Sequence, residues 1–272
     1  MAEKYNASNV SIEQILNFIK SGEIAIPEIQ RPFVWKPKQV RDLIDSLYTG
    51  YPTGYLIISQ SPNMKLKDGS LSEGKKIMID GQQRVTALMT SIIGMEVIDS
   101  EFEKKRIKIS FNPLAIDEDE VFKVQDNAIL KDKKWIADIA EIFKPDFKRG
   151  SFVSNYCESN PEIDSDKLHD IIDNLIGLKN RQIGVITLDR ELTIDEVTEI
   201  FIRINSQGAK LNQSDFAMSK IAANVKYGGN SLRKAIDYFA HLAVQLDGNS
   251  EMSKDKELME SKFAQKIKWL ND

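Results

Sequence analysis

The chain has 272 residues, 42% of them apolar, which is enough to bury one large core or two smaller ones. A formal net charge of −4 excludes the basic surplus of a general nucleic-acid binder, although a local basic groove stays open. The single cysteine, Cys157, rules out a disulfide framework and points to a reducing compartment; with only His169 and His241 beside it, no zinc site of ordinary spacing and no His-metal nuclease centre can be assembled.

The N-terminal MAEKYNASNV has no apolar signal core, and no run approaches the roughly 18 apolar residues of a membrane span, so a soluble, cytoplasmic protein without a membrane partner is expected. Ser11 and Gln14 form a capping box ahead of Ile12, Ile15, Leu16 and Ile19, which predicts a helix ended by Gly22. Glu23 to Ile26 reads as a strand closed by Pro27.

Residues 27–37, PEIQRPFVWKP, break this ordinary pattern. Pro32 holds Arg31 extended and restricts where its side chain aims, while Phe33 and Trp35 alternate with Val34 as in a strand. One reading is a rigid loop with two core aromatics and a solvated arginine. Another places Gln30 and Arg31 at the mouth of a pocket walled by Phe33 or Trp35. Pro37 suits the first turn of a helix carrying Val40, Leu43, Ile44 and Leu47, stopped at Gly50. A turn over Tyr51 to Gly54, a strand from Tyr55 to Ser59 and a polar surface loop from Pro62 to Gly74 follow.

Lys76 to Asp80 reads as a short buried strand, and Val85, Leu88, Met89 and Ile92 give the stripe of an amphipathic helix. Between them lies Asp80-Gly81-Gln82-Gln83-Arg84, a glycine where a strand feeds straight into a helix. Such a helix start offers unpaired backbone N–H groups and the positive end of the macrodipole, together an anion site. Asp80 and Gln83 also fit a capping box, with Asp80 as N-cap. Capping does not account for Arg84, because a cation in the first turn opposes the macrodipole at a cost of roughly 0.3–1 kcal/mol. A guanidinium belongs there if a phosphate fills the same space. Plain cap and phosphate cradle both stand on this evidence.

Lys105 to Phe111 alternates as a half-buried strand, with Val121 to Val124 its partner across an acidic turn, Asp117 to Glu120. From Asp132 to Lys179 helices are predicted on Trp135, Ile136, Ile139 and Ile142 and on Leu168, Ile171, Ile172, Leu175 and Ile176. Cys157, in an irregular stretch, reads as a packed thiol, and the two histidines as solvated helix residues. Ile183 to Leu188 returns the chain to a sheet. Thr193, with Glu196 as capping partner, opens a helix with Val197, Ile200, Phe201 and Ile204 inside. In FIRINSQGAKLNQSD, Arg203 pairs with Glu199 at i, i+4 on a helix surface, or it points with Asn205 into a pocket shared with Arg84. Three more helices are expected, at about 213–225, 231–246 and 254–270. Phe263, Ile267, Trp269 and Leu270 are left unspent near Asp272, as in a chain that continues or docks on a partner.

Taken in order, IPEIQRPFVWKPKQVRDLIDSLYTGYPTG, IDGQQRVTAL and FIRINSQGAKLNQSD resemble the N-terminal domain family of GmrSD-type restriction endonucleases, from about Ser11 to Ile221. The resemblance implies an α+β fold: a ParB/sulfiredoxin-like mixed sheet core over residues 1–130, then a mostly helical region, 131–272, with one returning strand and the Arg203-x-Asn205-x-x-Gly208 element. It implies binding and hydrolysis of a nucleoside triphosphate (GTP, ATP or another); for that chemistry Asp80, at the strand end, is suited to hold a Mg2+ water or to help orient the attacking water. Asp80, Gln82, Gln83 and Arg84 would then be catalytic, and Gln30, Arg31, Trp35, Gly81, Thr86, Arg203 and Asn205 would hold the nucleotide. Relatives serve anti-phage systems that restrict modified DNA, often with an HNH nuclease domain after this one, so the implied partners are phage DNA and a nuclease domain or subunit. No HNH-like segment occurs here, which argues against nuclease activity in this chain; self-association stays open. The readings carried forward are an NTP-hydrolysing sensor, a nucleotide-switched module without turnover, and a ParB-like nuclease.

Overall fold

The computed structural model describes residues 4–25, 33–59, 76–98, 104–115 and 120–193, together with 196, 197, 199, 200, 203, 232, 236, 239 and 240. The chain divides into two compact units, 1–203 and 204–272; in the second, the four described residues are helical. Among the described residues, no helix is long and apolar enough to cross a membrane.

The first unit is built on a mixed five-stranded sheet. Its strands are β1 (Tyr5–Ser11), β2 (Ile24–Ala25), β3 (Tyr55–Ser59), β4 (Lys76–Asp80) and β9 (Gln182–Leu188), in the order β1-β9-β3-β4-β2. β9 runs parallel to β3 and antiparallel to β1, so the returning strand lies inside the sheet rather than at its rim. Alternation along the strands gives the sheet two apolar faces. Leu56, Ile58 and Met78 join the large core under α1 (Ile12–Lys20), α2 (Pro37–Thr49) and α3 (Gln82–Leu88). Ile57, Ile77, Ile79 and Leu188 face the other way and are covered by Leu192 and Val197.

The predicted caps set the helices. Gln14 N–H donates to Ser11 Oγ at 3.2 Å, and Gln14 Oε1 accepts from the Ser11 N–H at 3.3 Å. Pro37 stands at the start of α2, and Gly50, at φ 84°, ends it in the left-handed region. α3 continues into a π-helical turn, Met89–Ile93, whose Ser91 Oγ donates to the Ala87 carbonyl at 2.7 Å. Short strands β5 (Val97–Ile98) and β6 (Lys104–Lys105) pair with each other, as do β7 (Ile109–Phe111) and β8 (Phe122–Val124).

Several expectations are corrected. β1 is a strand in a segment whose polar sequence, YNASNVS, shows no apolar alternation, because it forms an exposed sheet edge. Residues 34–36 have no regular structure, although Phe33 is buried as a core aromatic and Trp35 packs half-buried against the core. The strand expected from Lys105 to Phe111 is split between β6 and β7. The helix expected around Trp135 to Ile142 is absent. Ile136 exchanges both backbone hydrogen bonds with Phe111, and only a 3-10 turn, Ile139–Glu141, forms. Cys157 lies not in an irregular stretch but in α4 (Arg149–Ser159), packed against the core. α4 is followed by the expected α5 (Ser165–Ile176), where His169 is half-buried and its Nδ1 accepts from Arg149 Nε at 3.1 Å. The polar loop 62–74, the helices placed at 213–225 and 254–270, and His241 lie outside the described residues.

Candidate functional site

The site is the junction of β4 and α3. β4 leaves the sheet through an irregularity opposite β3, where Ile57 pairs with Asp80 and Ile58 with Met78. The chain then turns on Gly81, at φ 93°. A side chain there would place its Cβ 2.3 Å from Leu56 Cδ2 and 3.3 Å from Leu56 Cα. Only glycine permits both this conformation and this approach to β3. Gly81, not Asp80, is the N-cap of α3, and no side chain caps the helix; the capping box expected of Asp80 and Gln83 is absent.

The reason is that Gln83 is used elsewhere. Its Oε1 accepts the Val34 N–H at 3.0 Å, which ties the PFVW segment to the first turn of α3. Arg84 is likewise held. Nη1 donates to the Tyr55 carbonyl at 2.6 Å, Nη2 pairs with Asp80 Oδ2 at 3.5 Å, and the guanidinium lies over Gly54, where a Cβ would stand 3.4 Å from Nη1. Its side chain is 20% exposed. Burial pulls the guanidinium below the ordinary arginine range, and the Asp80 carboxylate works in the opposite sense. The group stays charged, with N–H donors in a fixed fork at the end of the sheet.

Two of the three sequence motifs therefore meet. Val34 and Gly54 from the first, with Tyr55 directly after it, close around Asp80 to Arg84 of the second. Trp35 and Thr86 are half-buried, and Gln82 is buried at 6% exposure. Arg203, whose side chain is 76% exposed, pairs with Glu199, the surface i, i+4 contact that the spacing allows. Gln30, Arg31, Asn205 and Gly208 lie outside the described residues. The anchors that sequence reasoning missed are the Val34 amide and the Tyr55 carbonyl. Neither has a signal in composition or period, since each acts through its backbone. No group of three or more His, Cys, Asp or Glu side chains suited to a metal occurs among the described residues.

A model of the GmrSD restriction endonuclease N-terminal domain matches residues 12–222, a span that contains all three motifs. The chain belongs to that family. The GmrSD N-terminal domain seen here is also 23% identical to an uncharacterized protein of Methanocaldococcus jannaschii, over 79% of this chain and 42% of the relative. The chain thus spans less than half the length of the curated relative it matches. In this GmrSD N-terminal domain the glycine packed on Leu56 and the arginine bonded to the Tyr55 carbonyl both fall within Asp80 to Arg84.

Proposed function

We propose that this GmrSD N-terminal domain is the nucleotide-binding and nucleotide-hydrolysing regulatory part of a bacterial anti-phage restriction system acting on DNA, built on a ParB/sulfiredoxin-like core. The observation that carries the reading is the Asp80–Arg84 turn. A strand tip bends through a left-handed glycine packed on β3, and a guanidinium is fixed beside the start of the helix. Backbone N–H groups of Gly81 to Gln83 would take phosphate oxygens, and Arg84 would neutralise their charge. Arg31, Arg203 and Asn205 are the further nucleotide contacts of this reading. Gln82 or Gln83 would orient the attacking water; Gln83 gives its Oε1 to the Val34 amide, and Gln82 is buried at 6% exposure.

A single carboxylate at a strand end, one of its oxygens facing Arg84 Nη2 at 3.5 Å, fits Mg2+, which keeps several waters and takes one or two carboxylates plus phosphate oxygens. Asp80 would hold it, and the ion would supply charge neutralisation of the phosphates. Chain residues do the rest. Arg84 grips the β3 backbone while presenting its remaining N–H donors, and Gly54 leaves room for the guanidinium.

The test is phosphate release from each nucleoside triphosphate with Mg2+, comparing the natural chain with Arg84→Ala. Turnover by the natural chain and a loss of roughly 100-fold or more in the variant are expected. The second reading, a switch that binds without turnover, is favoured by the Arg84–Asp80 pair, which already occupies the carboxylate. Binding with no phosphate release from the natural chain selects it. No binding of any triphosphate ends both. Activation of a nuclease elsewhere in the system, and recognition of modified phage DNA, would follow from nucleotide-dependent population shift.

A further inference from the structure

Tyr55 opens β3 on the sheet face opposite α3, in phase with Ile57. Its cross-strand partner is Gly184 of β9. A Cβ built on Gly184 would fall 2.5 Å from Tyr55 Cδ1 and 2.6 Å from Cε1, so the ring rests directly on the glycine backbone. Glycine inside a strand marks such a close approach. The Tyr55 backbone is pinned as well, through its carbonyl, by Arg84. A ring seated from below and fixed at its root is nevertheless 57% exposed, and Tyr51, four residues earlier, is 64% exposed. Covering a glycine explains why the ring sits there; it does not explain leaving more than half of a large aromatic surface in water.

We propose that Tyr55 is the stacking platform for a nucleobase, belonging to the nucleotide whose phosphates the Asp80–Arg84 turn holds; the inference rests on that phosphate reading. The Arg84 guanidinium is bonded to Tyr55's own carbonyl, which puts the cation at the backbone of the residue that carries the ring. A nucleotide is the ligand that carries an anion and a flat heteroaromatic ring one sugar apart. Every base has a π face, so stacking on Tyr55 confers affinity without choosing among bases.

Calorimetric titration of the full chain with ATP, GTP, inorganic tripolyphosphate and a single-stranded oligonucleotide, all with Mg2+, tests this. The natural chain should bind both nucleotides about ten-fold or more tighter than tripolyphosphate, the order of one base–aromatic stack. Tyr55→Leu, which still covers Gly184, should bring nucleotide affinity down to the tripolyphosphate level. Gly184→Ala, which displaces the ring without changing it chemically, should do the same. Tyr55→Phe should keep the advantage, and tripolyphosphate binding should stay constant throughout, showing that the turn is intact. Equal affinity for nucleotide and tripolyphosphate in the natural chain overturns the proposal while leaving the phosphate reading intact, as does an advantage that survives Tyr55→Leu. Binding of the oligonucleotide alone, dependent on Tyr55, overturns it in favour of a DNA-strand contact. Absence of tripolyphosphate and nucleotide binding removes the phosphate reading, and the stacking inference with it.

Discussion

At the residue scale, Gly81 and Arg84 show how a local rule is broken and then compensated. An arginine in the first turn of a helix opposes the macrodipole. Here its charge is offset by the Asp80 carboxylate and its donors are partly satisfied by the Tyr55 carbonyl. Gly81 bears the tighter constraint. Gly81→Ala would force a Cβ into Leu56 at a positive φ, so a loss of about 2–4 kcal/mol is expected, summing backbone strain and overpacking. Urea unfolding measures it, and a midpoint unchanged from the natural chain would contradict the close approach to β3. The strand-to-helix turn at Asp80 to Arg84 was legible in the residues themselves, because an apolar run gives way to a helical stripe across a glycine. The partners were not legible. Gln83 fits a capping box by spacing, yet it bonds an amide 49 positions earlier, and only the tertiary fold decides between the two.

Among the elements, those with caps and clear periodicity matched their sequence patterns. Ser11 with Gln14, Pro37 with Gly50, and Thr193 with Glu196 all form the ends their spacing implies. α4 was missed because RGSFVSNYCES buries only Val153 and Tyr156 and so has no apolar stripe to read. The stretch 135–142 failed for the opposite reason. Its isoleucines fall at helical spacing, but its backbone is taken up by other groups: Ile136 by Phe111, the Lys134 carbonyl by Tyr156 Oη at 2.7 Å, and the Ala137 carbonyl by Gln125 Nε2 at 2.7 Å. One cap carries a pH signature. Glu196 accepts from Lys4 at 2.7 Å and from the Thr193 N–H and hydroxyl, which together lower its pKa from 4.5 to about 2. A depressed carboxylate stabilises the folded state above its unfolded pKa, and that contribution is lost as pH falls through the folded one. The cap and its tie to Lys4 should therefore persist at pH 4.5 and give way towards pH 2, as followed by the NMR titration of the Glu196 carboxyl. A midpoint near the unperturbed glutamate value would show that the tie does not form in solution. Because both side chains of the Lys4–Glu196 pair reach solvent, salt should weaken the effect.

For the whole molecule, the decisive fact is where β9 lies. It lines both β1 and β3, so the sheet draws on residues 5–11, 24–25, 55–59, 76–80 and 182–188 together. A fragment ending at residue 130 would leave β1 without its partner and expose the flank of β3. A fragment ending at residue 203 keeps the entire first compact unit. Cooperative thermal unfolding is expected of the longer fragment, and none of the shorter, as read by circular dichroism. A cooperative transition in the 1–130 fragment would mean that the sheet closes without β9.

The pairing of β1 with β9 also sets a delay during synthesis. Ser11 leaves the ribosome about 170 residues ahead of Gln182, its register partner. At roughly 5–20 residues per second, the first strand waits on the order of 10–35 s for the segment that completes it. Over that interval a nascent YNASNVS edge is without its sheet partner, and its asparagines and serines leave little apolar surface for neighbouring chains on the same message. The composition that hid this strand from view is the one suited to a strand that must wait.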